Sequence, residues 1–346
     1  MKLISLVLAL ALSLGDSAPS HGAERFTDVL GAPAVPSALA GQVLVNGLAP
    51  AGQRLMAAGQ RGHILYSDDG GARWQQAKVP VSSDLVAVHF PSAHKGWAVG
   101  HDGVVLHSED GGASWSRQLD GIQAARLIIA QGASATLVEE ARAVLAHGPD
   151  KPFLDVFFQD EQRGFVVGAF NQIFATTDGG RNWTPWQARV DNPKGFHLNA
   201  IGQVGGRLYI VGEQGLVLRL SGDQSRFEAL PTPYKGSFFG LTGHGEALVV
   251  YGLRGNALRS LDQGKSWAKI DTGLQSGLTA GCVTADGRLL LFGQGGQVLA
   301  SADDGATFRK LAAIKPGATS AALATANGQL VLAGMRGLRV EALPAP

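Results

Sequence analysis

The sequence predicts an all-β fold, a closed β-propeller of seven four-stranded antiparallel blades, and three observations support this prediction. A Gly-x-x-Gly turn recurs seven times, with steps of 41, 68, 44, 40, 41 and 41 residues between successive turns. Apolar strand-like segments lie on both sides of the turns, and a Ser/Thr-x-Asp-x-Gly-x-x-Trp/Phe motif follows five of them. A period of about 40–50 residues with strand patterning is typical of propellers in which each repeat forms one blade.

Each Gly-x-x-Gly turn is expected to join the second and third strands of a blade. Glycine and asparagine tolerate the positive φ angles that tight hairpins require. Runs such as Trp97–Val99 before a turn and Val104–Leu106 after it supply the two strands. With asparagine once at the second place, the pairs are Gly59/Gly62, Gly100/Gly103, Gly168/Asn171, Gly212/Gly215, Gly252/Gly255, Gly293/Gly296 and Gly334/Gly337.

The second motif is an Asp box, expected between the third and fourth strands of a blade. Its hydroxyl and carboxylate can satisfy backbone N–H groups inside the turn, its glycine permits the left-handed kink, and its aromatic residue can wedge against the neighbouring sheet. We therefore assign the motif a structural role. The five boxes are Ser67-x-Asp69-x-Gly71-x-x-Trp74, Ser108-x-Asp110-x-Gly112-x-x-Trp115, Thr176-x-Asp178-x-Gly180-x-x-Trp183, Ser260-x-Asp262-x-Gly264-x-x-Trp267 and Ser301-x-Asp303-x-Gly305-x-x-Phe308.

Two blades depart from this motif. Blade four carries Ser221-x-Asp223-x-Ser225-x-Phe227, without the glycine and with the aromatic residue one place early, which predicts a looser turn. Blade seven stops at Leu338–Leu343 without a box, so its outer strand must come from elsewhere. The residues before blade one, Arg25 to Leu30, are the obvious donor, and pairing of the two chain ends would then close the ring without an open sheet edge.

The step of 68 residues indicates a helical insertion of about 121–150 between blades two and three. Thr136 and Glu139 have the spacing of a capping box, and Gly148-Pro149 would stop the helix. Leu137, Ala141, Val144 and Leu145 would share one face. The insertion is either a lid packed on the side of the ring or a helix that docks a partner.

Composition restricts the class of protein. Of the 346 residues, 45 % are apolar, only 16 % are charged, and 48 are glycine, which favours a large core and many tight turns. The formal net charge is +1, so no global field attracts nucleic acid. We expect one propeller domain over residues 24–346, monomeric, with no nucleic acid as a partner.

The first residues, 1–23, predict a secretory signal peptide whose cleavage point is ambiguous. Lys2 gives a positive start, Leu3 to Leu14 is an apolar run with serines, and small residues follow it. That run is shorter than the ~20 residues that span a bilayer, and no cysteine follows it for lipid attachment. We therefore expect an exported protein, periplasmic, without a span after cleavage. Cys282, the only cysteine, should be a small buried apolar group.

The boxes and turns, with Phe90…Gly96-Trp97 and Phe158…Gly164-Phe165 before two of them, resemble the photosystem II stability/assembly factor family. The resemblance covers about residues 26–343, and the family shares the BNR/Asp-box propeller with sialidases. It implies a seven-bladed, non-enzymatic propeller that helps to assemble a membrane complex, in the periplasm or in a thylakoid lumen. The implied partner is therefore a protein. An accessory protein of an envelope transport system is an alternative with the same fold.

The variable residues of the seven turns should share one face of the ring. Arg61, Arg254 and Arg336 occupy the same turn place in blades one, five and seven, whereas Asp102 and Glu213 lie in blades two and four. The resemblance implies an arginine patch, because the family's assembly factors carry one, and these arginines are the candidates for partner binding. The other interpretation is that turn tips are simply polar and solvated.

No catalytic residue, cofactor or metal site is predicted. A sialidase-type enzyme would need three arginines, a tyrosine paired with a glutamate, and an aspartate. The Phe-Arg-Ile-Pro segment expected of sialidases near the N-terminus is absent, and most of the tyrosines, Tyr66, Tyr209, Tyr234 and Tyr251, occupy strand positions. Asp68-Asp69-Gly70-Gly71 lacks the closing glutamate of a calcium loop. His89, His101 and His107 lie near one blade but lack the spacing of a zinc site.

Overall fold

Seven β-sheets make up the fold, as the sequence predicts, in this computed structural model, which describes residues 27–312, 314 and 317–343. Six of these sheets have four antiparallel strands and the seventh has three. The chain runs from the inner strand of each blade outwards, so the Gly-x-x-Gly turns and the Asp boxes lie at opposite ends of the strands. The predicted signal peptide lies outside the described residues.

The blades follow the chain in order, with the two helices between blades two and three. Blades one and two consist of β1 Val45–Ala51, β2 Arg54–Gly59, β3 Ile64–Ser67, β4 Gln75–Gln76, β5 Leu85–His89, β6 Gly96–Gly100, β7 Val105–Ser108 and β8 Ser116–Leu119. The insertion forms α1 Gly121–Ala130 and α2 Ala135–His147. Blades three to five consist of β9 Phe153–Phe158, β10 Gly164–Gly168, β11 Ile173–Thr176, β12 Thr184–Pro185, β13 Leu198–Val204, β14 Arg207–Gly212, β15 Val217–Leu220, β16 Phe227–Leu230, β17 Phe238–His244, β18 Ala247–Gly252, β19 Ala257–Ser260 and β20 Ala268–Ile270. Blades six and seven consist of β21 Leu278–Val283, β22 Leu289–Gly293, β23 Val298–Ser301, β24 Arg309–Lys310, β25 Ala321–Ala324, β26 Gln329–Gly334 and β27 Gly337–Ala342.

Apolar packing lies between successive blades. Each of seven buried clusters combines residues of two neighbouring blades, for example Met56 of blade one with Leu106 of blade two. The second strands of the blades, such as β6 and β10, are buried on both faces. Removing their apolar surface from water stabilises the fold by about 25 cal/mol per Å². The cluster that joins blade seven to blade one is built largely from alanine, including Ala57 and Ala333.

The predicted closure of the ring by a donated strand is wrong. Of the proposed donor Arg25 to Leu30, residues 27–30 form no strand, and Arg25 and Phe26 lie outside the described residues. The chain instead runs along blades one and two, where the carbonyl of Val29 accepts from the N–H of Ser82 at 2.8 Å. The ring closes through apolar contacts and through the hydroxyl of Ser320, which donates to the carbonyl oxygen of Val45 at 2.6 Å.

Polar groups of the inner strands bridge most junctions between blades. Most inner strands contain a register shift near their first residue, and the shifted side chain often reaches the next blade. Together with Ser320, the bridges are Asn46 to the Leu85 carbonyl, the Phe158 N–H to His89, the Ile201 N–H to Asp155, Asn199 to the Phe238 carbonyl, and Thr279 to the Thr319 carbonyl. At the remaining junction, Nδ1 of His244, the last residue of β17, lies 3.1 Å from Oδ1 of Asp304 in blade six, and Tyr251 packs against Gly281.

The insertion differs from its prediction in two respects. It contains two helices rather than one, and the cap of α2 is Ser134, which accepts from the N–H of Leu137, not Thr136. The capping box belongs to α1, between Asp120 and Gln123. Ala141 is buried and Leu137 and Val144 are partly buried, but Leu145 is 40 % exposed, so it does not share their buried face.

Candidate functional site

At five of the seven blades, the third place of the Gly-x-x-Gly turn is occupied by a residue other than glycine in a left-handed conformation. The φ angles at the third place of the turn are 56° for Arg61, 58° for Asp102, 53° for Phe170, 54° for Gln214 and 55° for Arg254. These residues lie at the tips of the turns, at the face of the ring that carries the turns. We call this face the turn face.

The seventh turn has a different geometry, so Arg336 is not equivalent to the other two arginines. Gly334 pairs directly with Gly337, which leaves Met335 and Arg336 as a two-residue loop. Arg336 does not have a positive φ, whereas Gly337 has φ 84°. Because blades seven and one are neighbours through the Ser320–Val45 contact, Arg336 and Arg61 lie on adjacent blades.

The three candidate arginines are exposed, and no ion pair is formed by any of their guanidinium groups within the described residues. Arg61 is held through its backbone N–H, which donates to Asp84 Oδ1 at 2.7 Å. Arg254 lies near Tyr234, whose hydroxyl donates to the Leu253 carbonyl at 3.1 Å. Blade five is separated from blade seven by blade six, so the structure brings Arg336 and Arg61 to one junction and leaves Arg254 two blades away.

The acidic side of the turn face is less available than the sequence suggests. Glu213 accepts from the backbone N–H and the Nδ1 atom of His197, both at 2.8 Å. The pKa of Glu213 is lowered mainly by the hydrogen bond from the backbone N–H of His197 and, to a smaller extent, by the hydrogen bond with the imidazole. This carboxylate therefore already has partners within the ring.

Exposed apolar side chains on the turn face are a feature that sequence reasoning missed. Met335 is 76 % exposed, Phe170 56 % and Leu253 40 %, and Phe239, at the start of β17, is 38 % exposed. All except Phe239 are variable turn residues, so their apolar character at a solvated turn tip was the available signal. A groove of about 600 Å³ lies beside Met335 and Arg336, between Gly317 and Gly334.

The Asp boxes form the structural turns that the sequence predicts. In the first box, Ser67 Oγ accepts from the N–H of Gly71 at 2.9 Å and donates to Asp69, which accepts from the N–H of Arg73 at 2.8 Å. The other four complete boxes repeat these bonds. In the box of blade four the N–H of Ser225 lies 3.2 Å from Ser221 Oγ, a longer distance that is consistent with a looser turn.

The acidic pair resembling a calcium loop is already satisfied by cations of the protein. Arg54 donates to both carboxylate oxygens of Asp68, at 2.7 and 2.9 Å. Arg73 donates to Asp69, and this side-chain hydrogen bond is the main reason that the pKa of Asp69 falls to about 2. Within the described residues, no group of three His, Cys, Asp or Glu side chains is placed to hold a metal ion.

The remaining titratable groups have environments that oppose nucleophilic chemistry. Burial raises the pKa of Cys282 to about 12 and raises the pKa of Tyr209, Tyr234 and Tyr251. Higher pKa values reduce the thiolate and phenolate fractions that a nucleophile requires. Asp155 has a pKa raised to about 7 by desolvation, but both of its oxygens accept backbone N–H groups.

The histidines that the sequence places near one blade act separately. His89 accepts from the N–H of Phe158, and burial lowers its pKa to about 4. His107 stacks on Trp97 with ring centroids 4.7 Å apart. His101 is an exposed residue of its turn. These positions fit structural histidines.

The two helices of the insertion are short. Among residues 27–312, 314 and 317–343, neither α1 nor α2 is long and apolar enough to cross a bilayer.

The fold resembles solved propellers of different functions. Over 88 % of this chain and 94 % of the other, it matches a structure described as YCF48 bound to D1 peptide, with a TM-score of 0.66 and 16 % identity. YCF48 from Cyanidioschyzon merolae gives 0.64 at 17 % identity over 90 % and 98 % of the two chains. A streptogramin B lyase gives 0.66 at 12 % identity over 87 % and 95 %. At these identities the likeness establishes the fold alone.

Sequence similarity is more specific. The photosystem II assembly lipoprotein Ycf48 of Synechococcus sp. (strain CC9902) is 28 % identical over 117 residues, which are 33 % of this chain and 35 % of that protein. The match therefore spans about a third of the length of the curated relative. The family model described as photosynthesis system II assembly factor YCF48 matches residues 53–145 and 135–237, together more than half of the chain. The chain therefore belongs to the photosynthesis system II assembly factor YCF48 family.

Proposed function

We propose that this protein is a non-enzymatic, exported propeller that binds a protein segment on its turn face and assists the assembly or stability of a membrane complex. The observation that carries the proposal is the combination of three exposed arginines without ion pairs among the described residues and three strongly exposed apolar turn residues on the same face. Arginine and large apolar side chains are favoured at protein interfaces. Family membership and the D1 peptide bound by a YCF48 structure support a peptide as the ligand.

The proposed contact combines ion pairs with the burial of apolar side chains. Arg61 and Arg336, on adjacent blades, would pair with carboxylates of the partner, including a C-terminal carboxylate. Met335 lies beside Arg336 and would cover the apolar part of the same segment. The groove of about 600 Å³ next to these two residues has the size of a small-ligand pocket and could seat a few residues of an extended chain.

A pull-down from detergent-solubilised membranes of the source organism tests the proposal. Three proteins are used as bait in parallel: the wild type, the double charge reversal Arg61→Glu with Arg336→Glu, and the control Arg226→Glu with Arg309→Glu. Arg226 and Arg309 are exposed and lie near the Asp boxes, at the other end of the strands. The control replaces two arginines by glutamate as well, so both variants change the net charge by the same amount. We expect the turn-face variant alone to lose the partner, and equal capture by all three proteins would contradict the arginine contact.

The identity of the captured proteins decides between the two non-enzymatic roles. Photosystem subunits would support an assembly role, whereas subunits of a transporter would support an accessory role in envelope transport. Sustained hydrolysis of fluorogenic sialosides, abolished by a Tyr→Phe variant, would instead support the glycosidase alternative. The buried tyrosines and their raised pKa values argue against that outcome.

A further inference from the structure

Strand β27 has an outer edge that no other strand of the described residues covers. Six blades end in an outer strand of two to four residues, from β4 with two to β16 with four. Blade seven ends at its third strand, and within residues 27–312, 314 and 317–343 the only strand paired with β27 is β26. No strand of the described residues therefore occupies the place of an outer strand in blade seven.

The register of the hairpin shows which backbone groups face this place. Gly334 pairs with Gly337 across a two-residue loop, and the N–H of Leu343 donates to the carbonyl of Gly328 at 3.0 Å in the same register. In an antiparallel pair alternate residues bond to the partner strand, so the odd-numbered residues of β27 bond to β26. The N–H and C=O groups of Leu338, Val340 and Ala342 therefore point outwards.

A groove lies along this edge. It has a volume of about 630 Å³ and is bounded on one side by Leu338 and Val340 and on the other by Leu65 and Trp74 of blade one. This volume is within the range of about 300–1,000 Å³ that is typical of ligand pockets. Val340 also packs towards Gly71, so the edge of β27 and the first Asp box form the two walls.

The described N-terminal segment lines part of the groove between Ser37 and Gln42, and the backbone of Gly41 lies against Gly337 at the start of β27. Followed from there towards the N-terminus, the chain leaves β27, since Ser37 donates its N–H to Gln76 at 2.9 Å and Ala34 donates to the carbonyl of Val79 at 3.0 Å. No strand of the described segment pairs with β27. A second copy would bring a whole sheet with its edge strand, for which a groove with two walls is a poor fit, whereas a single extended segment fits.

We propose that β27 binds an extended segment of a partner protein by β-strand addition, in the groove between blade seven and blade one. Three or four residues of the partner would pair with Leu338, Val340 and Ala342, as the outer strands do in the other blades. Leu65, Trp74 and Leu338 line the groove beside the amides of Gln42, Gln76 and Gln329, and Asp69 is held by Arg73. The segment therefore alternates apolar with uncharged polar side chains. The groove adjoins the turn face, because Arg339 lines both grooves, but the outward backbone groups of β27 are not part of the proposed arginine contact, so the inference does not depend on the proposed function.

The test uses fluorescence anisotropy with a labelled, acetylated and amidated peptide of sequence Ser-Val-Thr-Leu-Thr-Ser, titrated with the full-length protein. The variant Val340→Pro removes the outward N–H without removing a bond to β26, and Val340→Ala keeps that N–H and is the matched control. We expect binding to the wild type, a Kd raised at least about tenfold in Val340→Pro, or about 1.4 kcal/mol, and a much smaller change in Val340→Ala. Circular dichroism of Val340→Pro verifies that the variant is folded.

A second measurement does not require any variant to fold. The same peptide with N-methyl groups on its central residues keeps its side chains but loses backbone donors, and we expect it not to bind the wild type. The proposal is overturned if the unmodified peptide does not bind, or if N-methylation or Val340→Pro leaves its Kd unchanged. A third result would also overturn the proposal: a wild-type dimer that does not bind the peptide and that Val340→Pro converts to a monomer. The edge of β27 would then pair with a second copy of the chain.

Discussion

The hydroxyl of Ser320 donates to the carbonyl oxygen of Val45 at 2.6 Å, which joins the inner strand of blade seven to that of blade one. No strand connects these two blades within the described residues, and the apolar cluster between them is small. The hydrogen bond is the counterpart of the contact from Thr279 to the Thr319 carbonyl, also 2.6 Å, between blades six and seven. The junction that closes the ring thus uses the same bond as a junction within the chain.

Replacing Ser320 should therefore destabilise the ring by a modest amount. Ser320→Ala removes the donor and leaves the Val45 carbonyl without it, at a cost of about 1 kcal/mol. Urea unfolding followed by tryptophan fluorescence measures the change, with Thr279→Val as the matched variant at the neighbouring junction. We expect similar losses for both variants, and a wild-type free energy of unfolding in Ser320→Ala would show that the bond does not contribute.

The glycine of the Asp box, two residues after the aspartate, should be required for two reasons: its backbone conformation and the lack of space for a side chain. Gly112 has φ 84°, and a Cβ there would overlap with the methyl group of Met56. Gly132, between the two helices, has φ 68° with nothing within 4 Å of an added Cβ. We expect Gly132→Ala to cost about 1 kcal/mol from backbone strain and Gly112→Ala to cost about 2–5 kcal/mol, since overpacking adds to the strain.

Chemical denaturation of the two alanine variants beside the wild type separates the two contributions. Equal losses would mean that Met56 moves aside and that only the backbone conformation of Gly112 is important. A loss confined to Gly112→Ala would instead assign the whole effect to packing.

Repeats and turns could be predicted from the sequence because they depend on local chemistry. Glycine at φ values that other residues avoid, and a hydroxyl and a carboxylate at fixed spacing, mark turns wherever they occur, so the turns at Gly62 and Gly71 lie where the sequence predicts them. The helix α1 was missed because it follows β8 directly, with Asp120 as its cap. The prediction of a donated strand is wrong for residues 27–30 because this segment bonds instead to Ser82, in the connection to blade two, and to Arg117 of β8, which are long-range contacts.

The position of the candidate site could be predicted from the sequence, and its composition was predicted only in part. A turn tip is solvated whatever its sequence, so the exposure of Arg61, Arg254 and Arg336 follows from the repeat. The same rule applies to Met335 and Leu253, so the sequence contained the signal for an apolar component of this face, although the predicted site included only charged residues. Bridges such as the one from Asn46 to the Leu85 carbonyl depend on a register shift in the inner strand, which alternation of side chains does not reveal.

Asp155 should give the protein a stability that falls as the pH rises. Its pKa is raised from 3.8 to about 7 by desolvation, so between these values the folded protein binds more protons than the unfolded chain. The contribution is therefore fully present below about pH 4 and is lost as the pH rises to about 7, by an amount on the order of a few kcal/mol. Relative to Asp155→Asn, which cannot ionise, the wild type should be more stable at pH 5 than at pH 7.5.

Urea unfolding of both proteins at these two values of pH gives the difference directly. The surface variant Asp160→Asn serves as the control for a change in net charge. A free-energy difference between wild type and Asp155→Asn that does not vary with pH would contradict the raised pKa.

His89 should have the opposite effect in nearly the same range. Burial lowers its pKa from 6.5 to about 4, so the unfolded chain binds more protons between these values and stability is lost as the pH falls through them. Asparagine can still accept the N–H of Phe158 without titrating, so His89→Asn should remove this loss. In the wild type the two effects on the free energy of unfolding oppose each other. The double variant His89→Asn with Asp155→Asn should show neither dependence on pH.

The apolar side chains of the turn face should contribute to partner binding independently of the arginines. Met335→Ala with Leu253→Ala keeps every charge but removes two exposed side chains whose burial at an interface would contribute about 1.5–3 kcal/mol each. Leu261 is 54 % exposed and lies within the Asp box of blade five, at the opposite end of the strands, so Leu261→Ala is the matched control. We expect the double variant to retain at most about a tenth of the partner captured from solubilised membranes, and the control to retain all of it. Since surface truncations change stability little, thermal melts of the variants should overlap with the wild type. Full capture by the double variant would mean that the turn face, if it binds at all, does so through charge alone.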